Sequence, residues 1–183
     1  GIKEKLVFLY AGNIGHPTDI ESIVSAAKML KKEPIHFIFV GSGAKLPWLR
    51  NEVTSLGLEN ISILGQLPRE QQRIFLNAGD VAIISLVKGM WGTAMPSRTY
   101  NTLATGMPIL ALTENGSELA RVIDEEDVGW HIPPGQPEAL VEIIREISAR
   151  RGDLDEMRKR ARAAAIEKYT PEVAIGSYLR ELS

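Results

Sequence analysis

Six short, nearly continuous apolar runs alternate along this chain with longer stretches of helical periodicity, and this alternation constrains the fold more than any other feature. The runs are Leu6–Ala11, Ile35–Val40, Ile61–Leu64, Asp80–Leu86, Ile109–Leu112 and Val128–Ile132. A strand apolar on both sides must be covered on both sides, which predicts a parallel sheet with helices on each face. The pattern therefore specifies a doubly wound, six-stranded parallel α/β domain, a Rossmann-like architecture.

The helical stretches are equally legible. Thr18 with Glu21 three residues on reads as a capping box, opening a helix to about Lys32 with Ile20, Ile23, Val24, Ala27 and Leu30 on one face. Further helices are expected at Pro47–Leu56, Glu70–Asn77, around Tyr100 and Leu103, at Glu118–Ile123, Pro137–Arg150, Leu154–Lys168 and Pro171–Leu182. The Leu154 helix, rich in Arg and Ala, reads as a solvated surface helix. The run Asp124-Glu125-Glu126-Asp127 reads as an exposed turn rather than a metal site.

Composition excludes several classes. With 183 residues the chain fits one domain, and its net charge of −2 leaves no electrostatic footprint for nucleic acid. It has no cysteine, hence no thiolate metal site, disulfide framework or cysteine nucleophile. No apolar run approaches the roughly 20 residues that span a bilayer. The first strand begins almost at once, without a signal-peptide core, which sets the expectation of a piece of a longer protein.

In open parallel sheets, ligands bind beyond the carboxyl ends of the strands. The segments there include Gly12-Asn13-Ile14-Gly15-His16, Gly41-Ser42-Gly43, Gly65-Gln66-Leu67-Pro68 and the Val87–Arg98 loop. Any one glycine could simply turn the chain; four glycine-bearing loops on one rim point to a ligand cleft. The segment Met95–Ala111 is the most informative of all. Its loop-to-helix step carries Ser97, Arg98 and Thr99 where free backbone N–H groups and the positive helix end favour an anion. No Gly-x-Gly-x-x-Gly fingerprint, Walker sequence or Gly-x-Ser-x-Gly elbow accompanies it. Of the histidines, His16 lies in a glycine loop, His36 inside a strand where it is structural, and His131 near the last strand.

Taken in order, these motifs resemble the C-terminal, nucleotide-sugar-binding domain of retaining glycosyltransferases of family 4 (group 1) with the GT-B architecture. The resemblance runs from Tyr10-Ala11-Gly12-Asn13-Ile14-Gly15 and Phe39-Val40-Gly41-Ser42-Gly43 through Asn60–Pro68 and Ala78-Gly79-Asp80-Val81. It continues through Pro96–Asn101, Ala104–Ile109 and Gly116-Ser117-Glu118 to Val128–Gly135, covering nearly the whole chain. It implies that Gly12, Gly15, Ser97, Arg98 and Thr99 hold the donor diphosphate, with Arg98 as the catalytic charge. Gly65, Gln66 and Leu67 would meet the base, and Asn13, His16, Gly41 and Gly43 would complete the binding loops. Many members carry two glutamates seven residues apart; here Thr93 and Asn101 stand at those places, Asn101 as a ribose ligand.

The same resemblance implies transfer of a sugar from a nucleotide diphosphate sugar, UDP-linked, to a glycan or lipid-linked acceptor in surface polysaccharide synthesis. No cofactor or metal is expected. Residues 1–183 would form a single donor-binding domain, with 171–183 packing on an N-terminal domain that receives the acceptor. A cytoplasmic place at the inner face of a membrane, with peripheral association of the full-length protein, is implied as well. Alternatives from other classes are half of a nucleotide-sugar epimerase and a degenerate, non-catalytic nucleotide-binding module.

Overall fold

A computed structural model describes residues 4–90, 92, 95–170 and 173. The chain alternates β1 (Leu6–Ala11), α1 (Ile20–Met29), β2 (Ile35–Val40), α2 (Leu46–Ser55), β3 (Ile61–Gly65), α3 (Gln72–Leu76) and β4 (Val81–Ser85). It continues with α4 (Arg98–Ala104), β5 (Ile109–Leu112), α5 (Glu118–Glu126), β6 (Gly129–Ile132), α6 (Pro137–Ala149) and α7 (Leu154–Lys168). All six strands are parallel, in the order β3-β2-β1-β4-β5-β6. The doubly wound sheet expected from the apolar runs is the one that forms.

Side-chain alternation along each strand sends neighbours to opposite faces. Phe8, Tyr10, Phe37 and Phe39 point to one face, where they meet α1, α2 and α6. The rings of Phe8 and Phe37 lie 5.6 Å apart, and those of Tyr10 and Phe39 5.5 Å apart. Val7, Leu9, Ile38 and Val40 point the other way, toward Leu76 of α3 and Met107. On that second face Ile84, Ile109 and Ala111 pack beneath α4, α5 and α7. The order reverses between β1 and β4, whose following segments leave on opposite faces and so open a crevice at the sheet's carboxyl edge.

Several boundaries differ from the sequence reading. The cap of α1 is Asp19, whose Oδ1 accepts from Ser22 N at 3.1 Å; Thr18 instead donates its hydroxyl to Gly15 O at 2.6 Å. Asp19 wins because its second oxygen also accepts from Gly135 N at 2.6 Å, a partner 116 residues away. Helix α1 stops at Met29, with Leu30 buried and turning the chain.

The acidic run is mostly helix. Asp124, Glu125 and Glu126 form the last turn of α5, and Asp127 ends it with φ +50°, a conformation aspartate tolerates. Its charges are met by cations from elsewhere: Glu126 by Lys168 and Asp127 by Arg160, while Asp124 lies beside His131.

Helix α7 is not a freely solvated rod. Leu154, Met157, Ala161, Ala164 and Ala165 are buried along one stripe, and small alanines let the helix approach closely. Its arginines bond back to the domain, Arg158 to Asp80 and Arg162 to the carbonyl of Ala104. The expected helix at Pro171–Leu182 lies outside the described residues.

Candidate functional site

The loops after β1, β2 and β3 are joined by main-chain bonds that extend the sheet's ladder past its edge. Gly12 N donates to Val40 O at 2.9 Å, Ile14 N to Ser42 O at 2.8 Å, and Gly41 N to Gly65 O at 2.7 Å. This closeness requires glycine. At Gly41, with φ +150°, a β-carbon would fall 1.9 Å from the carbonyl oxygen of Gly12, which no relaxation of a side chain could relieve.

Beyond this seam, at the β1/β4 switch point, lies a cavity of about 400 Å³. One side is polar: Gly12, Asn13, Gly41, Ser42, Gln66, Ser97, Arg98, Asn101 and Thr102. The floor is apolar, made by Leu9, Ala11, Ile83 and Ile84. Gln72, Phe75 and Leu76 of α3 close the far wall beside Leu67. Among the described residues that line it, none is acidic.

Eight of the residues predicted from sequence thus converge: Gly12, Asn13, Gly41, Gln66, Leu67, Ser97, Arg98 and Asn101. Gly15, His16, Gly43, Gly65 and Thr99 do not line the cavity. His16 is exposed on the loop, and Gly65 serves the seam through its carbonyl. Thr99 is turned inward and fully buried because α4 presents that side to the core, and its hydroxyl has no hydrogen-bond partner among the described residues. Thr93 lies outside the described residues. The α3 wall was missed, although Gln72, Phe75 and Leu76 fall at helical spacing on one side of a helix that the pattern did predict.

Arg98 dominates the electrostatics. Its guanidinium lies over the Tyr10 ring, 5.0 Å from Cζ to the ring centroid, and Nη2 donates to Ser85 O at 3.3 Å. Tyr10 is held from below, its hydroxyl donating to Asn13 O at 2.5 Å. Nη1 of Arg98 is buried and has no hydrogen-bond partner among the described residues. Leaving a buried charged donor unpaired costs more than a neutral one, so such an atom marks a place for an acceptor. Nη1 itself lies against Gly12, whose missing side chain leaves it room. Ser97, at the start of α4, caps none of the helix amides with its hydroxyl.

Two histidines do structural work. His36 is buried in β2, its Nε2 2.8 Å from Ser62 Oγ, and burial with the nearby Lys5 charge holds its pKa below the usual imidazole value. His131 Nε2 lies 3.2 Å from Asp124 at the opposite edge.

A switch-point crevice with glycine loops and a fixed cation at the carboxyl edge of a doubly wound parallel sheet is the architecture of α/β domains of the Rossmann-like, nucleotide-binding kind. The chain belongs to the glycosyl transferases group 1 family, whose sequence profile it matches over residues 1–168. It is 39% identical over 145 residues, 79% of this chain and 36% of the relative, to “Probable glycosyltransferase WbjE” of Pseudomonas aeruginosa. WcaI of Escherichia coli (strain K12), named as a candidate colanic acid biosynthesis glycosyl transferase, is 29% identical over 143 residues, 78% of this chain and 35% of its own. The chain thus spans about a third of these relatives' length. The fold superposes on the crystal structure of Anabaena Alr3699/HepE in complex with UDP with a TM-score of 0.81. That match has 17% identity and covers 100% of this chain and 49% of the other. Among the described residues, no helix is long and apolar enough to cross a membrane.

Proposed function

We propose that this chain is the donor-binding part of a glycosyltransferase that takes a nucleoside diphosphate sugar, UDP-linked, and passes the sugar to a glycan or lipid-linked acceptor in surface polysaccharide synthesis. The observation that carries this reading is the buried, unpaired Nη1 of Arg98, set against Gly12 in the switch-point cavity. The UDP bound by Alr3699/HepE and the colanic acid name of WcaI support the donor and the pathway class. The acceptor would be held by a second domain upstream, across the open rim.

Bond breaking at the sugar leaves charge on the departing diphosphate. Arg98 would meet that charge with a donor already in position, a contribution of roughly 3–4 kcal/mol for preorganised donors of this kind. Gly12 and Ser97 would add backbone and hydroxyl contacts, and Asn101 a hydrogen bond to ribose. Titration calorimetry with UDP tests the reading: the chain should bind it, and Arg98→Ala should weaken binding at least tenfold. Absence of binding to any nucleoside diphosphate at millimolar concentration would overturn it.

A further inference from the structure

Helix α4 presents Arg98 to the cavity from its first turn, yet its 7 residues are too few to hold a helix on their own. Its start has no side-chain cap, since the Ser97 hydroxyl bonds none of the helix amides. Its far end is held by α7. There Nη1 of Arg162 donates to the carbonyl of Ala104, the last residue of α4, and places a cation at the negative end of that helix. Gly106 follows with φ +72°, and a β-carbon on it would stand 3.1 Å from Arg158 O and 3.6 Å from Arg162 Cβ. The turn after α4 therefore lies directly against α7. Beyond it, the rings of Tyr169 and Tyr100 lie 5.6 Å apart.

Helix α7 is in turn pinned to the rest of the domain. Arg158 donates to Asp80 O and Oδ1, both at 3.3 Å, and Asp80 Oδ2 accepts from Val7 N of β1 at 2.9 Å. At the other end Lys168 pairs with Glu126 of α5 at 2.7 Å, and the Tyr169 hydroxyl donates to the same carboxylate at 3.3 Å. Arg158, Arg162 and Tyr169 recur at whole turns, along one side of α7 and its cap. Neither Arg162 nor Tyr169 lines the cavity, so any effect they have on a ligand must pass through α4.

We infer that Arg162 and Tyr169 are positioning residues for Arg98: by fixing α4 through α7, they set where its guanidinium stands. The inference rests on the nucleoside diphosphate reading above. A helix of this length moves as one body roughly 10 Å long, so a shift at Ala104 is felt at Arg98. A guanidinium already in place costs less to order when the ligand arrives, and loosening α4 moves that cost to the binding step.

Arg162→Met is the main test, because it keeps the apolar stem of an exposed side chain and removes its donors. Calorimetry with UDP and with uridine would compare the wild-type chain, Arg162→Met, Arg162→Lys, Tyr169→Leu, Arg98→Ala and the Arg98→Ala/Arg162→Met pair. Urea unfolding of each shows that it is folded; should Arg162→Met fail to fold, Tyr169→Leu carries the same comparison. Arg162→Met and Tyr169→Leu should each lower UDP affinity about fivefold, the scale on which remote contacts couple to a site. Arg162→Lys can still donate to the Ala104 carbonyl and should restore most of the loss. Uridine has no phosphate for Arg98 to meet, so it should bind the wild type and Arg162→Met alike. In the Arg98→Ala background, adding Arg162→Met should lose nothing more. A merely structural role would weaken UDP and uridine together, or lower stability and leave UDP affinity unchanged. Either result, an added loss in the pair, or no rescue by lysine would overturn the inference, while UDP binding by the wild type leaves the donor reading intact. Failure of the wild type to bind UDP would overturn both.

Discussion

Arg98 covers Gly12: a β-carbon at residue 12 would stand 2.8 Å from Nη1 of the arginine, and the two residues lie 86 positions apart in sequence. The contact joins the first loop of the domain to the helix after β4 across the switch point. It makes the glycine and the cation one device, since each has its place only because of the other.

Replacing Gly12 by Ala should damage both partners. The native φ of +146° is strained for any side chain, and the methyl would displace the guanidinium. Stability should fall by about 1–3 kcal/mol. Urea unfolding measures that loss, and calorimetry should show weaker UDP binding in the same variant. An Ala variant with unaltered unfolding midpoint and affinity would refute the device.

Arg98→Lys separates charge from shape. Lysine keeps the charge but cannot both lie flat on Tyr10 and bond Ser85 O through a second nitrogen. Its UDP affinity should fall between those of the wild type and Arg98→Ala, and should weaken more steeply with added salt as the unanchored ammonium becomes better solvated. Equal affinities for Lys and Arg would show that the planar fork contributes nothing.

Asp19 joins parts of the chain that sequence keeps far apart. Its carboxylate accepts from Ser22 N and Gly135 N, and its main chain exchanges hydrogen bonds with the Ser85 hydroxyl. It is buried, so removing the carboxylate strands two amides. Asp19→Ala should destabilise the domain by about 3 kcal/mol, and Asp19→Asn by less. Chemical denaturation would decide between them.

The pH dependence of stability should carry the mark of His36. Burial, with Lys5 nearby, lowers its folded-state pKa below the ordinary imidazole value of 6.5, so the unfolded chain binds the proton more readily. Its contribution is complete above 6.5 and is lost as pH falls through that value toward the lowered folded-state value. Urea midpoints at pH 8 and pH 5.5 should differ in the wild type, and the difference should shrink in His36→Gln. An unchanged difference would assign the pH effect to other groups.

Much of the architecture was legible in local pattern. Apolar runs of four to seven residues alternating with longer helical stretches point to strands covered on both faces, and β5 falls at Ile109–Leu112 as its run indicates. The anion-favouring character of Ser97-Arg98 and the glycine rim were equally visible, because those residue types are informative wherever they stand. What failed was of one kind. Thr18 looked like a cap by spacing, yet Asp19 took the place through Gly135, which no local window contains. Thr99 looked like a ligand, yet the rotation of α4 buried it.

The strand count, the parallel sheet and the rim that holds the cavity follow from periodicity and chain connectivity, which are local or nearly so. Assembly in three dimensions decided which rim residues reach the cavity, because a loop's direction depends on contacts across strands. It placed Arg98 on Tyr10, left Nη1 unpaired against Gly12, and seated Asn13 where Gly15 and Gly43 have no side chains. Those relationships join positions up to 88 residues apart, from Tyr10 to Arg98, and excluded volume, not propensity, sets them.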